Sequence, residues 1–467
     1  MKSNLRFNEK NYTVKELELE GERVVYRAFE NIVYVDNPVD KDIQELSIFV
    51  PEVFYVGKSI NGYNINNAPI FLPNGIGGYM PGRVERPGKD FMGRTNAIFW
   101  ALIHGYVVVS VGARGRKMKD DEGRYIGMAP AAICDLKAAV RYLRFNKDII
   151  PGDVEKIISN GTSAGGAMSS ILGATGNHPD YEEYLEKIGA VKERDDIFAA
   201  SCYCPITNLD NADSAYEWEF NGLNKYSRFK FHPSETGKMK KIIIEGEMTE
   251  LQKQLSDKLK ALFPEYLNSL RLKDGYGKEL VLDKDGNGSF KEFIKGKVIE
   301  SAQIALKRGL DLSKIDWLII ADGEIKDVDF SKYIEFRGRM KETPAFDNIN
   351  LGTPENELFG SETEKCRHFT EFSNIYSAVK GEMAEESQVK LMNPMNYIDD
   401  NKSDKAKYYR IRHGAIDCDT SLAISAMLAL KLENNGIDVD FQYPWGIPHS
   451  GDYDLEDLFN WIDTICK

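Results

Sequence analysis

The sequence predicts an α/β protein built on a doubly wound, mostly parallel β-sheet, with one long insertion that interrupts it. Strand-like and helix-like runs alternate over residues 68–207, and the alternation returns over residues 408–446. Several of the strands, such as 107–111, are continuously apolar. Unbroken apolar strands are typical of parallel sheets that helices cover on both faces, so these observations together indicate the fold class.

The individual elements follow in a regular order. Strand-like runs at 23–35 and 46–54 open the chain. The next elements are a strand in "APIFLPNG", a helix and a strand in "AIFWALIHGYVVVSVGARG", a helix in "APAAICDLKAAVRYLRFN", a strand in "KIIS", a helix in "AGGAMSSILGAT" and a strand in "IFAASCYCPIT". Further on, residues 408–411 predict a strand, "LAISAMLALKLENNG" predicts an amphipathic helix that ends at Gly436, and "VDFQYPWG" predicts a last strand.

Between these two regions the alternation stops. Residues 206–395 contain charged helical segments, such as "KLKALFPEYLNSLRL", and loop-rich stretches. We therefore predict a core formed by residues 1–205 and 396–467, into which residues 206–395 are inserted as a lid domain. We refer to residues 206–395 as the insertion.

Composition excludes several classes of partner. The chain has 467 residues and a net charge of −13, which disfavours binding to nucleic acid or to anionic membranes. No apolar run approaches the roughly 18 residues of a membrane span, and no secretory signal is recognisable at the start. Six cysteines in a chain of this length do not form a disulfide scaffold. We expect a cytoplasmic protein with reduced thiols and with neither a nucleic-acid nor a membrane partner.

The stretch "GTSAG" at 161–165 carries the strongest catalytic signal. It fits Gly-x-Ser-x-Gly, and it lies between a predicted strand and a predicted helix, as that motif requires. A serine in such a strained turn projects its hydroxyl above the sheet, and the N–H of Ala164 at the helix start favours negative charge nearby. Ser163 is therefore the candidate nucleophile. The alternative is an ordinary glycine-rich turn.

A nucleophilic serine needs a base, and the chain has six histidines. Proteins of the α/β-hydrolase fold place the acid and then the histidine after the serine, each just beyond a strand. His449, in "PWGIPHSGDYD", follows the last predicted strand and fits that order. His413 also follows a strand but precedes every late acidic candidate.

The acid should follow the strand "YYRI". The loop "RHGAIDCDTS" offers Asp417 and Asp419, and either could also cap a loop or the next helix. One of the two should orient the histidine, which leaves the other for a ligand or a cap. Spacing alone does not say which.

Two glycine-rich stretches are further candidates. "LPNGIGGYMPG" follows an early strand, where Gly77 or Gly78 could offer a backbone N–H to an oxyanion, although a tight turn before Pro81 explains the glycines equally. "LDKDGNGSFKEFI" resembles the first half of an EF-hand loop and predicts a structural calcium site. Its three candidate ligands are Asp283, Asp285 and Asn287. The twelfth position holds Ile294 instead of Glu, and the alternative is an Asx-rich turn.

Taken together, these stretches resemble the bacterial intracellular tannases, which are esterases of gallic acid. The resemblance is carried by "NGTSAGG", "NGIGGYMPG", "KETPAFD", "TPENELFG", "RHGAIDCDTS" and "PHSGDYD", which extend from residue 72 to residue 454. It implies an α/β-hydrolase fold with a triad of Ser163, Asp417 and His449.

The resemblance also implies which residues bind the ring hydroxyls of the galloyl group. They are Lys341, Glu355 and Asp419, with Glu357 as a competitor for Glu355 because "ENE" permits a slip of two residues. The expected function is therefore a serine esterase that cleaves galloyl esters through an acyl-enzyme, needs no cofactor for catalysis and takes a small aryl ester as substrate. The alternatives are an esterase for hydroxycinnamoyl or simple acyl esters, a serine exopeptidase of the same fold, and a hydrolase-like binding protein.

Overall fold

A computed structural model of the chain describes residues 5–90, 93–233 and 239–467. The strands are β1 (Thr13–Leu19), β2 (Glu22–Val33), β3 (Glu45–Pro51), β4 (Pro69–Pro73), β5 (Val107–Val111), β6 (Asp153–Thr162), β7 (Ala199–Tyr203), β8 (Lys225–Pro233), β9 (Met239–Glu247), β10 (Leu318–Ala321), β11 (Glu324–Val328), β12 (Tyr408–Arg412) and β13 (Asp438–Gln442). The α-helices are α1 (Ala97–Ile103), α2 (Ala131–Phe145), α3 (Ala164–Ala174), α4 (Glu182–Lys187), α5 (Leu209–Phe220), α6 (Glu250–Ser269), α7 (Ser289–Lys307), α8 (Phe330–Arg337), α9 (Pro354–Leu358), α10 (Glu371–Ile375), α11 (Glu386–Leu391), α12 (Leu422–Asn434) and α13 (Leu455–Cys466).

One nine-stranded sheet organises the molecule, in the order β1-β2-β3-β5-β4-β6-β7-β12-β13. The six strands from β5 to β13 run parallel to one another. The strands β1, β2 and β3 join the other edge in antiparallel pairs. Every residue of β4, β5 and β7 is buried, as the apolar runs indicated. The predicted α/β class with a mostly parallel sheet is confirmed.

Two elements of this layer were not predicted. The edge strand β1, "TVKELEL", is exposed or half-exposed along its whole length and alternates charged with apolar residues, so it lacks the apolar signal of the central strands. The C-terminal helix α13 packs Phe459 against Phe71 of β4 and against Tyr106, just before β5. It thereby covers the parallel part of the sheet.

The chain leaves the sheet after β7 and returns at β12, which pairs with β7 in parallel. The segment between them forms α5 to α11 and two small antiparallel hairpins, β8–β9 and β10–β11. Its helix α5 is largely buried, whereas α6 and α7 each bury one apolar face. The assignment of residues 206–395 to a lid domain stays a prediction. In the part of the chain that the structure describes, no helix is long and apolar enough to cross a bilayer.

Candidate active site

The loops that follow β4, β6, β12 and β13 meet at one edge of the sheet. These four strands are parallel, so their carboxyl ends lie on the same side. Each of the four loops brings one group of candidate residues: 74–82 after β4, Ser163 after β6, 413–421 after β12 and 443–454 after β13. The sheet topology therefore assembles residues that are far apart in the sequence.

Ser163 occupies a strained turn between β6 and α3. Its backbone has φ 61° and ψ −121°, a conformation that costs a non-glycine residue about 1–3 kcal/mol. The turn is held by backbone bonds, because Ser163 N–H donates to Tyr203 O at 2.9 Å and Ser163 O accepts from Ile206 N–H at 3.3 Å. Gly161 is required here, since a Cβ on it would lie 2.3 Å from Gly165 O. Among the described residues, Ser163 Oγ makes no hydrogen bond.

His449 and Asp417 form a hydrogen-bonded pair. His449 Nδ1 lies 2.8 Å from Asp417 Oδ2. Asp417 is fully buried, and its other oxygen accepts the Asp419 N–H at 2.8 Å. This bond leaves Nε2 of His449 as the free nitrogen of the ring, which is the geometry a general base requires.

The Asp417 carboxylate and the His449 imidazole each stabilise the charged form of the other. Burial alone would raise the pKa of Asp417, but the positive charge that His449 can carry and the bonds to the carboxylate lower it well below its usual range. Burial opposes the charged form of His449, yet the neighbouring groups, with Asp417 first, raise the pKa of His449 well above its ordinary value. The geometry therefore stabilises an imidazolium, the species that forms when the base accepts a proton.

A second histidine contacts the same carboxylate. His413 Nε2 lies 3.7 Å from Asp417 Oδ2, and its Nδ1 is hydrogen-bonded to Ser425 Oγ. His413 is fully buried, and burial lowers the pKa of His413 to about 4. It therefore stays neutral near pH 7 and acts as a support for Asp417, while His449 is the histidine with an exposed edge.

Lys341 and Asp419 face each other beside this pair. Lys341 Nζ lies 3.3 Å from Asp419 Oδ2, and the same carboxylate oxygen is 4.0 Å from His449 Nε2. Glu355 is buried at the start of α9, and burial raises the pKa of Glu355 although the charge of Lys341 opposes the shift. The structure thus brings the Asp419 carboxylate to the free nitrogen of the candidate base, with the Lys341 ammonium on that carboxylate and Glu355 in electrostatic interaction with both.

Glu357 is engaged elsewhere. Its carboxylate pairs with Arg116 and lies 2.9 Å from Lys365 Nζ. Arg116 is itself anchored to Gly78 O at 2.6 Å. Glu357 therefore serves as a structural link to the loop after β4, which favours Glu355 over Glu357 as the ligand of a substrate.

Two buried ion pairs, which the sequence did not reveal, hold these loops in position. Glu219 of α5 pairs with Arg337, and Glu217 pairs with Arg339, with all four side chains inaccessible to solvent. Arg337 also donates to Asp417 O. Arg339 donates to Lys341 O at 2.7 Å. One pair therefore fixes the backbone of the candidate acid and the other fixes the backbone of the candidate lysine.

Tyr216 links the backbone of the candidate lysine to the loop that carries the candidate acid. Its hydroxyl accepts the N–H groups of Met340 and Lys341 at 3.1 and 3.0 Å, and it donates to Cys418 O at 3.1 Å. The alternation "YEWEF" in α5 and "RGR" at 337–339 was the available signal in the sequence. It carried no information about pairing, because the partners are more than a hundred positions apart.

The backbone N–H groups of Gly77 and Ala164 are the predicted oxyanion donors. Neither Gly77 nor Ala164 donates a backbone hydrogen bond within the described residues. A Cβ built on Gly77 would meet no atom within 4 Å, so the space beside it is open. Gly78 has φ +53°, which makes it the turn residue of this loop.

The EF-hand-like loop closes on itself. Asp283 Oδ1 accepts the N–H groups of Asp285 and Asn287, both at 2.9 Å. Asn287 Oδ1 accepts from Lys291 Nζ at 2.9 Å. Ile294, at the position of the expected bidentate glutamate, is buried in α7. This geometry fits the Asx-rich turn, and the calcium site stays a prediction.

Comparison with known proteins gives consistent matches. The family described as BD-FAE matches residues 77–229. A search of curated proteins found no match. Among solved structures, a tannase from Fusobacterium nucleatum is 51% identical, with 99% of this chain and 100% of that chain covered and a TM-score of 0.94. A tannase from Lactobacillus plantarum is 44% identical, with coverages of 99% and 100% and a TM-score of 0.96. A tannin acyl hydrolase in complex with ethyl gallate is 44% identical, with 99% of each chain covered and a TM-score of 0.94.

Proposed function

The chain belongs to the bacterial tannase family, and from this membership we propose how it hydrolyses galloyl esters. Its relatives, at 44–51% identity over the full chain, are tannases, and one solved relative holds ethyl gallate. The predicted α/β-hydrolase fold and the predicted family are thereby confirmed. The substrate is a small galloyl ester, and the reaction is hydrolysis of its ester bond.

In the proposed mechanism, Ser163 Oγ attacks the ester carbonyl while His449 Nε2 accepts its proton. Asp417 keeps the Nδ1 proton in place and stabilises the imidazolium. His449 then protonates the leaving alcohol, and a water molecule releases gallate from the acyl-enzyme by the reverse sequence. The 2.8 Å bond between His449 and Asp417 and the strained backbone of Ser163 support these roles.

We further propose that the N–H groups of Gly77 and Ala164 bind the oxyanion. Both groups lack a hydrogen-bond partner among the described residues. Ala164 also begins α3, whose N-terminus favours negative charge. Removal of one such donor typically costs about 10²–10³ in rate, so the hole would supply a large part of the catalysis.

Three side chains are proposed to bind the galloyl ring. The Lys341 ammonium would donate to a ring hydroxyl, while Asp419 and Glu355 would accept from the others. The observation that carries this proposal is the position of Asp419 Oδ2, which lies 3.3 Å from Lys341 Nζ and 4.0 Å from His449 Nε2. A site built to bond hydroxyls rejects a ring without them by up to roughly 10⁴–10⁵, because its buried polar groups are then left unpaired.

The insertion is proposed to act as the lid of this site. It supplies Lys341 and Glu355, and through Arg337 it contacts Asp417 in the core. We expect that a gallate analogue slows hydrogen exchange in the insertion around 341–358 as well as in the loop 413–421. Protection confined to the loop would argue against a lid.

Two further proposals concern the insertion loop and the compartment. Calcium at Asp283, Asp285 and Asn287 is tested by calorimetric titration with Ca²⁺, with Asp285→Ala as the control variant.

A cytoplasmic location is supported by the free thiols of all six cysteines, which fit a reducing compartment. Fractionation of cells that make the protein tests the location.

The deciding experiment is a series of methyl benzoates with three, two, one and no ring hydroxyls. We expect kcat/KM to fall at each loss. Methyl ferulate tests the hydroxycinnamoyl alternative, and equal turnover of ferulate and gallate esters would contradict the proposed ring contacts. A fluorophosphonate probe should label Ser163 alone; absence of labelling would favour a non-enzymatic binding protein.

A further inference from the structure

The thiol of Cys204 lies against the proposed base and has no part in the mechanism above. Cys204 follows β7 directly and is buried. Its Sγ is 4.0 Å from His449 Nε2 and donates to Ser450 O at 3.4 Å. Within the described residues, Cys204 therefore offers a soft ligand beside the free nitrogen of His449.

The ring of His449 is oriented as it is in metal-bound histidines. Its Nδ1 is hydrogen-bonded to the Asp417 carboxylate, which leaves the Nε2 lone pair free, with Cys204 Sγ 4.0 Å from that nitrogen. Metal-ligating histidines almost always donate their second ring N–H in this way, to a carboxylate, a backbone carbonyl or water. Within the described residues, Cys204, Asp417 and His449 are the one group of three or more ligand-type side chains, and their ligand atoms lie within 4.8 Å of one another.

The distances suit a bridging ion. Zinc binds sulfur at about 2.3 Å and imidazole nitrogen at about 2.0–2.1 Å, and a tetrahedral ion therefore holds the two atoms about 3.5 Å apart. The observed separation is 4.0 Å, so a shift of a few tenths of an ångström closes it.

We propose that Cys204 and His449 form an inhibitory site for a thiophilic divalent cation such as Zn²⁺. The ion binds the Nε2 lone pair that His449 needs as a base, so the enzyme is inactive until the ion dissociates. Binding displaces the proton of the thiol and any proton on His449 Nε2, so inhibition strengthens as pH rises. The loss of activity rests on the proposed role of His449, whereas the binding of the ion does not.

The test uses Cd²⁺ and Zn²⁺ on the full chain, with Mg²⁺ as a hard-ion control. We expect one equivalent of Cd²⁺ to produce the ultraviolet absorption of a cadmium–thiolate bond and to abolish ester hydrolysis, with recovery after chelation. Mg²⁺ should do neither, because it prefers oxygen ligands. Ser163→Ala should show the same absorption although it is inactive, which separates the metal site from the proposed catalysis.

The variants decide the assignment. Cys204→Ala should keep its activity, lose the absorption and resist Cd²⁺ and Zn²⁺ by at least about 10- to 100-fold. The matched control Cys366→Ala, which removes a more accessible thiol, should behave as the parent protein does. If Cys204→Ala does not fold, His449→Ala gives a second reading, because the thiolate absorption should then need a higher Cd²⁺ concentration. Unchanged inhibition in Cys204→Ala, or absorption lost in Cys366→Ala instead, would overturn the proposal.

Discussion

The turn that carries Ser163 and the loop 413–421 serve one site but are held by different means. The turn is fixed by covalent geometry and close backbone packing between β6 and α3, two adjacent elements. The loop 413–421 is fixed by side chains from elsewhere, since Arg337 binds Asp417 O, Tyr216 binds Cys418 O, and Glu219 binds Ser421 and Leu422. The turn also exchanges backbone bonds with Tyr203 and Ile206, but the residues that form it are adjacent in the sequence, whereas the loop depends on side chains of the insertion.

This difference separates substitutions that abolish the reaction from substitutions that weaken the packing around the site. A change in the turn should abolish the reaction and leave the fold alone. Changes in the loop or in its supports should affect rate, selectivity and stability in proportions that depend on the residue.

The largest effect is expected from Ser163→Ala. It removes the attacking hydroxyl, so kcat should fall by roughly 10⁶ on every ester, as in other serine hydrolases. The melting temperature should hardly change, because no large cavity is created. Burst and steady-state assays with circular dichroism check both points. His449→Ala should be nearly as damaging, and full activity in Ser163→Ala would exclude the acyl-enzyme.

The second-largest effect is expected from Asp417→Asn. The amide no longer holds the correct tautomer of His449, and turnover should drop by about 10⁴ on galloyl and hydroxyl-free esters alike. The measurement is kcat/KM on methyl gallate and methyl benzoate. A loss confined to methyl gallate would mean that Asp417 binds the ring and that the two aspartates have exchanged roles.

Arg337→Met tests the support of the loop. It leaves the buried Glu219 carboxylate without its cationic partner, so we expect a loss of about 3–5 kcal/mol in the free energy of unfolding. It should also lower kcat on every ester, because Asp417 loses an anchor. Arg339→Met is the matched control: it breaks the other pair and should instead raise KM for galloyl esters. Denaturant titration measures the stability of both variants. If the two variants show the same kcat and KM, the ion pairs act on stability alone.

Asp419→Asn should be milder and selective. The ring hydroxyls lose a charged acceptor, so kcat/KM should fall by roughly 10- to 100-fold more on methyl gallate than on methyl benzoate. The control is Glu357→Gln, whose carboxylate is engaged by Arg116 and Lys365, and which should not discriminate between the two esters. An equal loss on both esters would assign Asp419 to catalysis.

The smallest effect concerns pH. Because the pKa of His449 is raised, the neutral base is lost as pH falls through that raised value, and the acid limb of kcat/KM should lie above that of an ordinary histidine. The carboxylate of Asp419 contributes to this shift, so Asp419→Asn should move the limb to lower pH. The profile is measured on methyl benzoate to keep ring ionisation out of it. A limb that does not move would contradict the 4.0 Å interaction.

The sequence predicted the turn well and the loop only partly. The strained turn at Ser163 was predicted from "GTSAG" and its place between a strand and a helix, and the central strands were predicted from their apolar runs, because these signals are local. Asp417 and Asp419 could not be separated by spacing, since their roles depend on which carboxylate reaches His449. The pairs of Glu217 and Glu219 with arginines were missed for the same reason: a charge in a sequence is read as exposed until its partner is known. The strand β1 was missed because an exposed edge strand has little apolar signal.

The pairing of β7 with β12 has a consequence for synthesis of the chain. Ala199 is hydrogen-bonded alongside Tyr408, a partner made about 200 residues later. At about 5–20 residues per second, the ribosome needs roughly 10–40 seconds to deliver that partner. During this interval β7, which is fully buried in the finished sheet, has no neighbour on that side, and an unpaired strand edge invites association between nascent chains.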